Sequence, residues 1–449
     1  MLKDCKNFEL IENFINSSEQ ELSMIFSERS SHVYHKIQNI LNIYQEEKIS
    51  TNHFQQSTGS GHEDISREKI DQVFAKLFRA EKAAVRMQFV SGTHAISSVL
   101  FGVLRPGDCM ISLTGKPYDT LEEVIGLRGK GKGSLSDFGI NYKEVDISKN
   151  ISCDYKEIEK FLERNDCKLV FIQKSCGYSW RKSLTNEEIG EICQLVHKVN
   201  PNCICFVDNC YGELVEDTEP ITNGANIIAG SLIKNLGGTI VPSGGYVAGD
   251  AELVELACCR LTSPGIGSNA GINFGLGRLI FQGLFLAPQM VNQSLNSADL
   301  VASVFQKIGF KVLPQPGKYR SDIIQAIQLK NPELVKIVCQ WFQKSSPIDS
   351  FLNVFPSPMS GYGDNLFMSG GTFVEGSTSE FSADAPLRTP FNIYVQGGSH
   401  ISHVKIALIQ LLSDLLKENF IQKEILLEPS KLWTINFQNF LDMQIHMNM

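Results

Sequence analysis

Across its 449 residues the chain has no uninterrupted apolar run of membrane-spanning length; Gly, Pro or charge breaks every hydrophobic window early. It also lacks an excess of basic charge. The formal net charge is −8, whereas a nucleic-acid partner would want a basic face. Its twelve cysteines include no CxxC pair, since Cys203 and Cys205 alternate along a strand-like run and Cys258 and Cys259 are adjacent. Zinc-ligand spacing is therefore missing, and the thiols read as reduced, mostly buried side chains of a cytoplasmic protein. The opening MLKDCKNFELIENF carries acids early and no apolar h-region, so no secretory leader is expected. Repeats, low-complexity tracts and blocks of like charge are missing too.

What is present is an ordinary globular composition, with 43% hydrophobic and 20% charged residues. Phe8, Ile11, Phe14 and Ile15 stand at helical spacing and predict an N-terminal helical arm over 1–55. STNHFQQSTGSGHED reads as a loop. Asp64 or Ser66 then caps a helix whose apolar stripe is Ile70, Val73, Phe74, Leu77 and Phe78. From about residue 83, short apolar strands alternate with helical patterns: AAVRMQFV, DCMISLT, KLVFIQ, CICFVDN and IIAGSLI, with TIVPSGGYVAG as a further strand. That rhythm predicts an α/β domain over 56–300, its mostly parallel sheet covered by helices on both faces. A helix is expected from about Asn269 to Val304. A smaller α+β domain follows over 301–425, with helices near 331–344 and 400–418 and strands near 311 and 391–396, and then a tail over 426–449.

In an open α/β sheet, ligands bind beyond the carboxyl ends of the strands. Ser91-Gly92-Thr93 opens a helix and offers free N–H groups, a hydroxyl and a positive dipole end, a combination that suits phosphate. Asp208 ends CICFV, and a buried carboxylate must find a donor. Lys234 follows IIAGSLI, with Ser231 three residues earlier, and Tyr118 lies in GKPYDT at the next strand end. Each has a bland reading on its own: a helix cap, a backbone partner, a solvated lysine or a packed aromatic. Together they supply an anion cradle, an acid, an amine and a stacking ring. Pyridoxal phosphate asks for such a set, with a lysine for its Schiff base and an acid to keep its ring nitrogen protonated.

QFVSGTHAISSVLFGVLRPGD, GKPYDTLEEVIGLRG, GSLSDFGI, GYSWRKSLT, VDNCYGELVE, GSLIKNLGG and SPGIG resemble the aluminium-resistance protein family. That family is similar to the methionine γ-lyase and cystathionine lyase branch of fold-type I pyridoxal-phosphate enzymes. The likeness runs from about residue 57 to about 400. It implies that Lys234 is the Schiff-base lysine, Asp208 the ring-nitrogen partner, Tyr118 the stacking aromatic, and Gly92, Thr93 and Ser231 the phosphate cradle. Arg388, in APLRTPFNIYVQGG, matches an arginine that grips the substrate carboxylate, a task its planar fork suits. The resemblance further implies an amino-acid substrate, carbon–sulfur lyase chemistry, and a homodimer or homotetramer. An aminotransferase, or a cofactor-binding pseudo-enzyme with a regulatory or metal-tolerance role, is the alternative. One departure stands out: where the family reads Gly-Tyr-Gly-Tyr, this chain has Gly59-Ser60-Gly61-His62-Glu63-Asp64. Either Ser60, His62 or Arg67 supplies the missing contact to a neighbouring subunit's phosphate, or that contact is lost.

Overall fold

The computed structural model describes residues 7–145, 155–377 and 379–427. The expected tail over 426–449 lies outside the described residues from 428 onward. Seven strands form the larger sheet: β1 (Lys82–Arg86), β2 (Cys109–Ser112), β3 (Asn141–Glu144), β4 (Leu169–Gln173), β5 (Ile204–Asp208), β6 (Ile227–Ser231) and β7 (Gly245–Gly249). Their order is β1-β7-β6-β5-β4-β2-β3, and β7 runs antiparallel to both its neighbours while the rest are parallel. A second, antiparallel sheet has the order β10-β11-β12-β9-β8. It comprises β8 (Lys311–Leu313), β9 (Gln325–Gln328), β10 (Leu366–Ser369), β11 (Ser382–Pro386) and β12 (Asn392–Gln396).

Twelve α-helices are seen among the described residues. They are α1 (Phe8–Glu21), α2 (Ser23–Glu46), α3 (Ile65–Phe78), α4 (Gly92–Val103), α5 (Asp119–Ile125) and α6 (Tyr155–Glu163), then α7 (Asn186–Val199), α8 (Ala251–Leu261), α9 (Gly277–Lys307), α10 (Pro332–Lys344), α11 (Ile401–Lys417) and α12 (Lys423–Leu427). Local chemistry sets several of their starts. Asp64 caps α3 by accepting from the Arg67 N–H, Ser91 caps α4 by accepting from His94, and Thr185 with Glu188 forms a reciprocal capping box on α7. The helix expected from Asn269 begins only at Gly277, after a short 3₁₀ turn over Gly267–Asn269.

The central strands bury both faces, so period-2 alternation sorts their side chains into two cores. Val170, Ile172, Cys205, Val207 and Ile228 join one core with α3, α7 and the first half of α9. Leu169, Phe171, Ile204, Phe206, Ile227 and Ala229 join the other with α4 and α8. A third core lies on the second sheet, built from α10, α11 and the last turns of α9. Ile11, Phe14 and Ile15 of α1 are buried in this third core. All cysteines among the described residues are free thiols, and most are buried. No described helix is long and apolar enough to cross a membrane.

Candidate active site

Register brings the strand ends together. Gln173 of β4 pairs with Asp208 of β5, and Asp208 pairs with Ala229 of β6, two residues before Ser231. The turn from the β1 edge into α4 arrives at the same place. A Cβ built on Gly92 would lie 3.2 Å from the Cys210 sulfur and 3.3 Å from the Ser231 Cβ, tighter than most Cβ contacts, so a larger residue here would push the helix start away from β6. The Gly92 and Thr93 N–H groups have no acceptor within α4 and point with the positive end of its dipole. Thr93 Oγ1 lies 2.8 Å from Thr120 Oγ1.

Asp208 is buried, and its Oδ1 accepts from the Cys210 N–H at 3.1 Å. Burial pushes its carboxyl up to about 6, with the Cys210 hydrogen bonds and the Arg181 and Lys234 charges pulling the other way. Lys234 follows β6 at the start of a 3₁₀ turn. Its Nζ donates to Tyr211 Oη at 2.6 Å and to the Gly376 carbonyl at 3.0 Å, and lies 4.5 Å from the Tyr211 ring centroid. Burial lowers its pKa, opposed by Cys210, Asp384, Tyr362 and Glu213. The lysine is half-buried, with its amine tied to Tyr211 and to the Gly376 carbonyl rather than free at a strand end. It is turned into the site.

Tyr118 stands before α5, where its N–H donates to Gln173 Oε1 at 2.7 Å and its hydroxyl lies 2.8 Å from that of Tyr362. Its ring centroid is 5.1 Å from Tyr178 and 5.9 Å from Tyr362, so three tyrosines make a continuous wall. Arg181 shapes the end of β4 by donating to the carbonyls of Gln173 and Ser175. Arg388 sits in ion pairs: its Nη1 is 3.0 Å from Asp119 Oδ1 and 3.0 Å from Asp364 Oδ2. Two carboxylates thus already share the guanidinium assigned to a substrate carboxylate. Arg67 is held by its own chain. Its buried guanidinium donates to the carbonyls of Gly61 at 2.6 Å and Gly271 at 3.0 Å, pinning the 59–61 loop to its own chain, while Ser60 and His62 are exposed.

Sequence reasoning passed over Tyr178, Tyr211, Tyr362 and Asp384. The first two follow β4 and β5, so the strand-end rule applied one loop further would have found them. Tyr362 and Asp384 come from the second sheet and its loops, where no motif pointed inward.

The donor set fits pyridoxal phosphate. The N–H end of α4 at Gly92 closes directly on Ser231 and Cys210, and buried Asp208 and half-buried Lys234 stand on the neighbouring strand ends. A family model described as methionine gamma-lyase matches residues 11–416. The uncharacterized protein YnbB of Bacillus subtilis (strain 168) is 44% identical over 383 residues, spanning 85% of this chain and 91% of the relative. A solved carbon-sulfur lyase involved in aluminum resistance, from Clostridium novyi NT, is 42% identical with a TM-score of 0.85, covering 90% of this chain and 96% of that one. The pyridoxal-5'-phosphate dependent protein YhfS from Escherichia coli superimposes with a TM-score of 0.57 at 15% identity, covering 85% of this chain and 96% of that one, a likeness of fold alone. The chain therefore belongs to the methionine gamma-lyase family and has the fold-type I architecture of pyridoxal-phosphate enzymes.

Proposed function

We propose that the protein is a pyridoxal-phosphate-dependent carbon–sulfur lyase acting on a sulfur-containing amino acid by β- or γ-elimination. The observation that carries the reading is half-buried Lys234 and buried Asp208 standing at neighbouring strand ends. Held by Lys234, Asp208, Tyr118 and the cradle of Gly92, Thr93 and Ser231, the cofactor supplies an electron sink for a carbanion at the substrate Cα.

The chain's own residues do the rest. Burial lowers the Lys234 pKa, so its amine is available to take the Cα proton. Asp208 would supply the anion that keeps the cofactor's ring nitrogen charged. The Tyr118 hydroxyl, 2.8 Å from that of Tyr362, would protonate a departing thiolate in this reading. Arg388 orients the substrate carboxylate, which must share the guanidinium with Asp119 and Asp364. Assembly as a homodimer or homotetramer belongs to the same proposal.

The test is direct. The purified protein should be yellow, and borohydride should fix the cofactor's mass on Lys234. Cystathionine, cysteine or methionine should then release a 2-oxo acid. Product formed only with an added amino acceptor would make it an aminotransferase. A spectral change without product would make it a pseudo-enzyme, and no label on Lys234 would end the proposal.

A further inference from the structure

A cavity of about 280 Å³ opens between α2, the middle of α9 and the loops 214–217 and 317–320. None of the residues assigned above to the cofactor or the substrate lines it. Its place follows from how two helices pair. Tyr44 Oη donates to the Phe281 carbonyl at 2.6 Å and Arg29 Nη1 donates to Asn296 Oδ1 at 3.1 Å, so α2 runs antiparallel to α9. Asn292, Asn296 and Asp299 follow one another at helical spacing on α9, and all three are buried. Arg29 takes the last two, since it also pairs with Asp299. One turn earlier, at Asn292, the polar row is left open.

Asn292 is 6% exposed, lines the cavity, and has no hydrogen-bond partner at Oδ1. A buried amide oxygen costs free energy until a donor reaches it. Lys36 lines the same cavity from α2. Its Nζ donates to the Val215 carbonyl at 2.9 Å and makes no ion pair among the described residues, so an ammonium with three donors still lacks an anion. Glu216 and Asp217 stand on the facing loop, where Lys174 and His32 already pair with them. Val33, Leu214 and Val291 give the cavity an apolar wall.

A cation without a carboxylate, an oxygen without a donor and an apolar wall match the three parts of an aliphatic amino acid. A carboxylate alone would leave Asn292 Oδ1 unmet, and an amine alone would leave Lys36 without an anion. We propose that this cavity is a second binding site, for the zwitterion of an aliphatic or thioether α-amino acid. The carboxylate goes to Lys36, the ammonium to Asn292 Oδ1, and the side chain packs on Val33, Leu214 and Val291. The site goes beyond the lyase reading and does not depend on it.

Calorimetric titration with L-norleucine tests the proposal, on protein whose Lys234 has first been fixed to the cofactor by borohydride so that this amine cannot react. Norleucine should bind. Hexanoate and pentylamine, each lacking one of its two charged groups, should bind more weakly by roughly tenfold or more. Lys36→Met and Asn292→Leu should each weaken norleucine by a similar factor, while Lys36→Arg should keep most of the affinity. Where one variant fails to fold, the other and the probe comparison still decide. No binding of norleucine at millimolar concentration, equal affinity for the three probes, or an affinity untouched by both substitutions would each overturn the proposal. A chain that takes no label on Lys234 sinks the lyase reading alone, because the same titration of the unlabelled protein still decides this site.

Discussion

Tyr211 has φ of +69°, a left-handed backbone that an aromatic residue rarely adopts, and its hydroxyl meets Lys234. Strain of this kind gathers where a side chain must be aimed rather than merely packed. Two residues on, Glu213 is fully buried. Its Oε1 accepts from Tyr246 Oη at 2.8 Å, and its Oε2 has no partner. Burial raises its carboxyl from 4.5 to about 8. The folded state therefore keeps a proton that the unfolded chain releases, so this group's contribution to stability is full below pH 4.5 and falls as pH rises towards about 8. Glu213→Gln should be near neutral at pH 5 and stabilising at pH 8 by on the order of 3 kcal/mol. Paired denaturant melts at the two pH values check this, and equal effects at both would show that Glu213 ionises freely.

At the scale of elements, α9 supports the turn that carries Lys234. A Cβ on Gly283 would lie 2.5 Å from the Gly237 carbonyl oxygen, and one on Gly238 would lie 2.2 Å from the Gly283 carbonyl oxygen. Backbone therefore packs on backbone directly after Lys234. Gly283→Ala should destabilise the fold by about 1–3 kcal/mol, the range for overpacking, and should lower the fraction of Lys234 that borohydride can label. An unchanged melt with normal labelling would mean that α9 can slide away without cost. Most of the larger sheet was legible in the sequence because its central strands are apolar on both faces and end in turn residues. β3, with the pattern exposed–intermediate–exposed–exposed, and β11, within SADAP, carry no such signal. Their identity comes from their partners: β3 pairs with β2, and β11 lies between β10 and β12.

Over the whole molecule, α1 and the C-terminal core are one packing unit. Ile11, Phe14 and Ile15 are buried with α9 and α11 residues that follow them by nearly 300 to about 400 positions in the chain. Burying each such side chain is worth roughly 1.5–3 kcal/mol, so a chain starting at Ser23 should lose on the order of 5 kcal/mol of stability. The denaturant midpoint measures this, and an unchanged value would show that α1 contributes nothing to that core. Tyr362 and Asp384 enter the site from the same unit. Their distance from Lys234 depends on how the second sheet seats on the first, so a loosened third core should also weaken ligand binding.

Lys234, Asp208, Ser231 and the Gly92–Thr93 helix start could be read from the residues because each follows a strand or opens a helix, and parallel strands present their carboxyl ends on one edge. That is local information multiplied by a simple topological rule. The tyrosine wall, the Asp384 carboxylate, the ion pairs around Arg388 and the inward turn of Arg67 could not be read that way. They depend on contacts between segments remote in sequence, where packing and the pairing of buried charge, rather than periodicity, choose each partner.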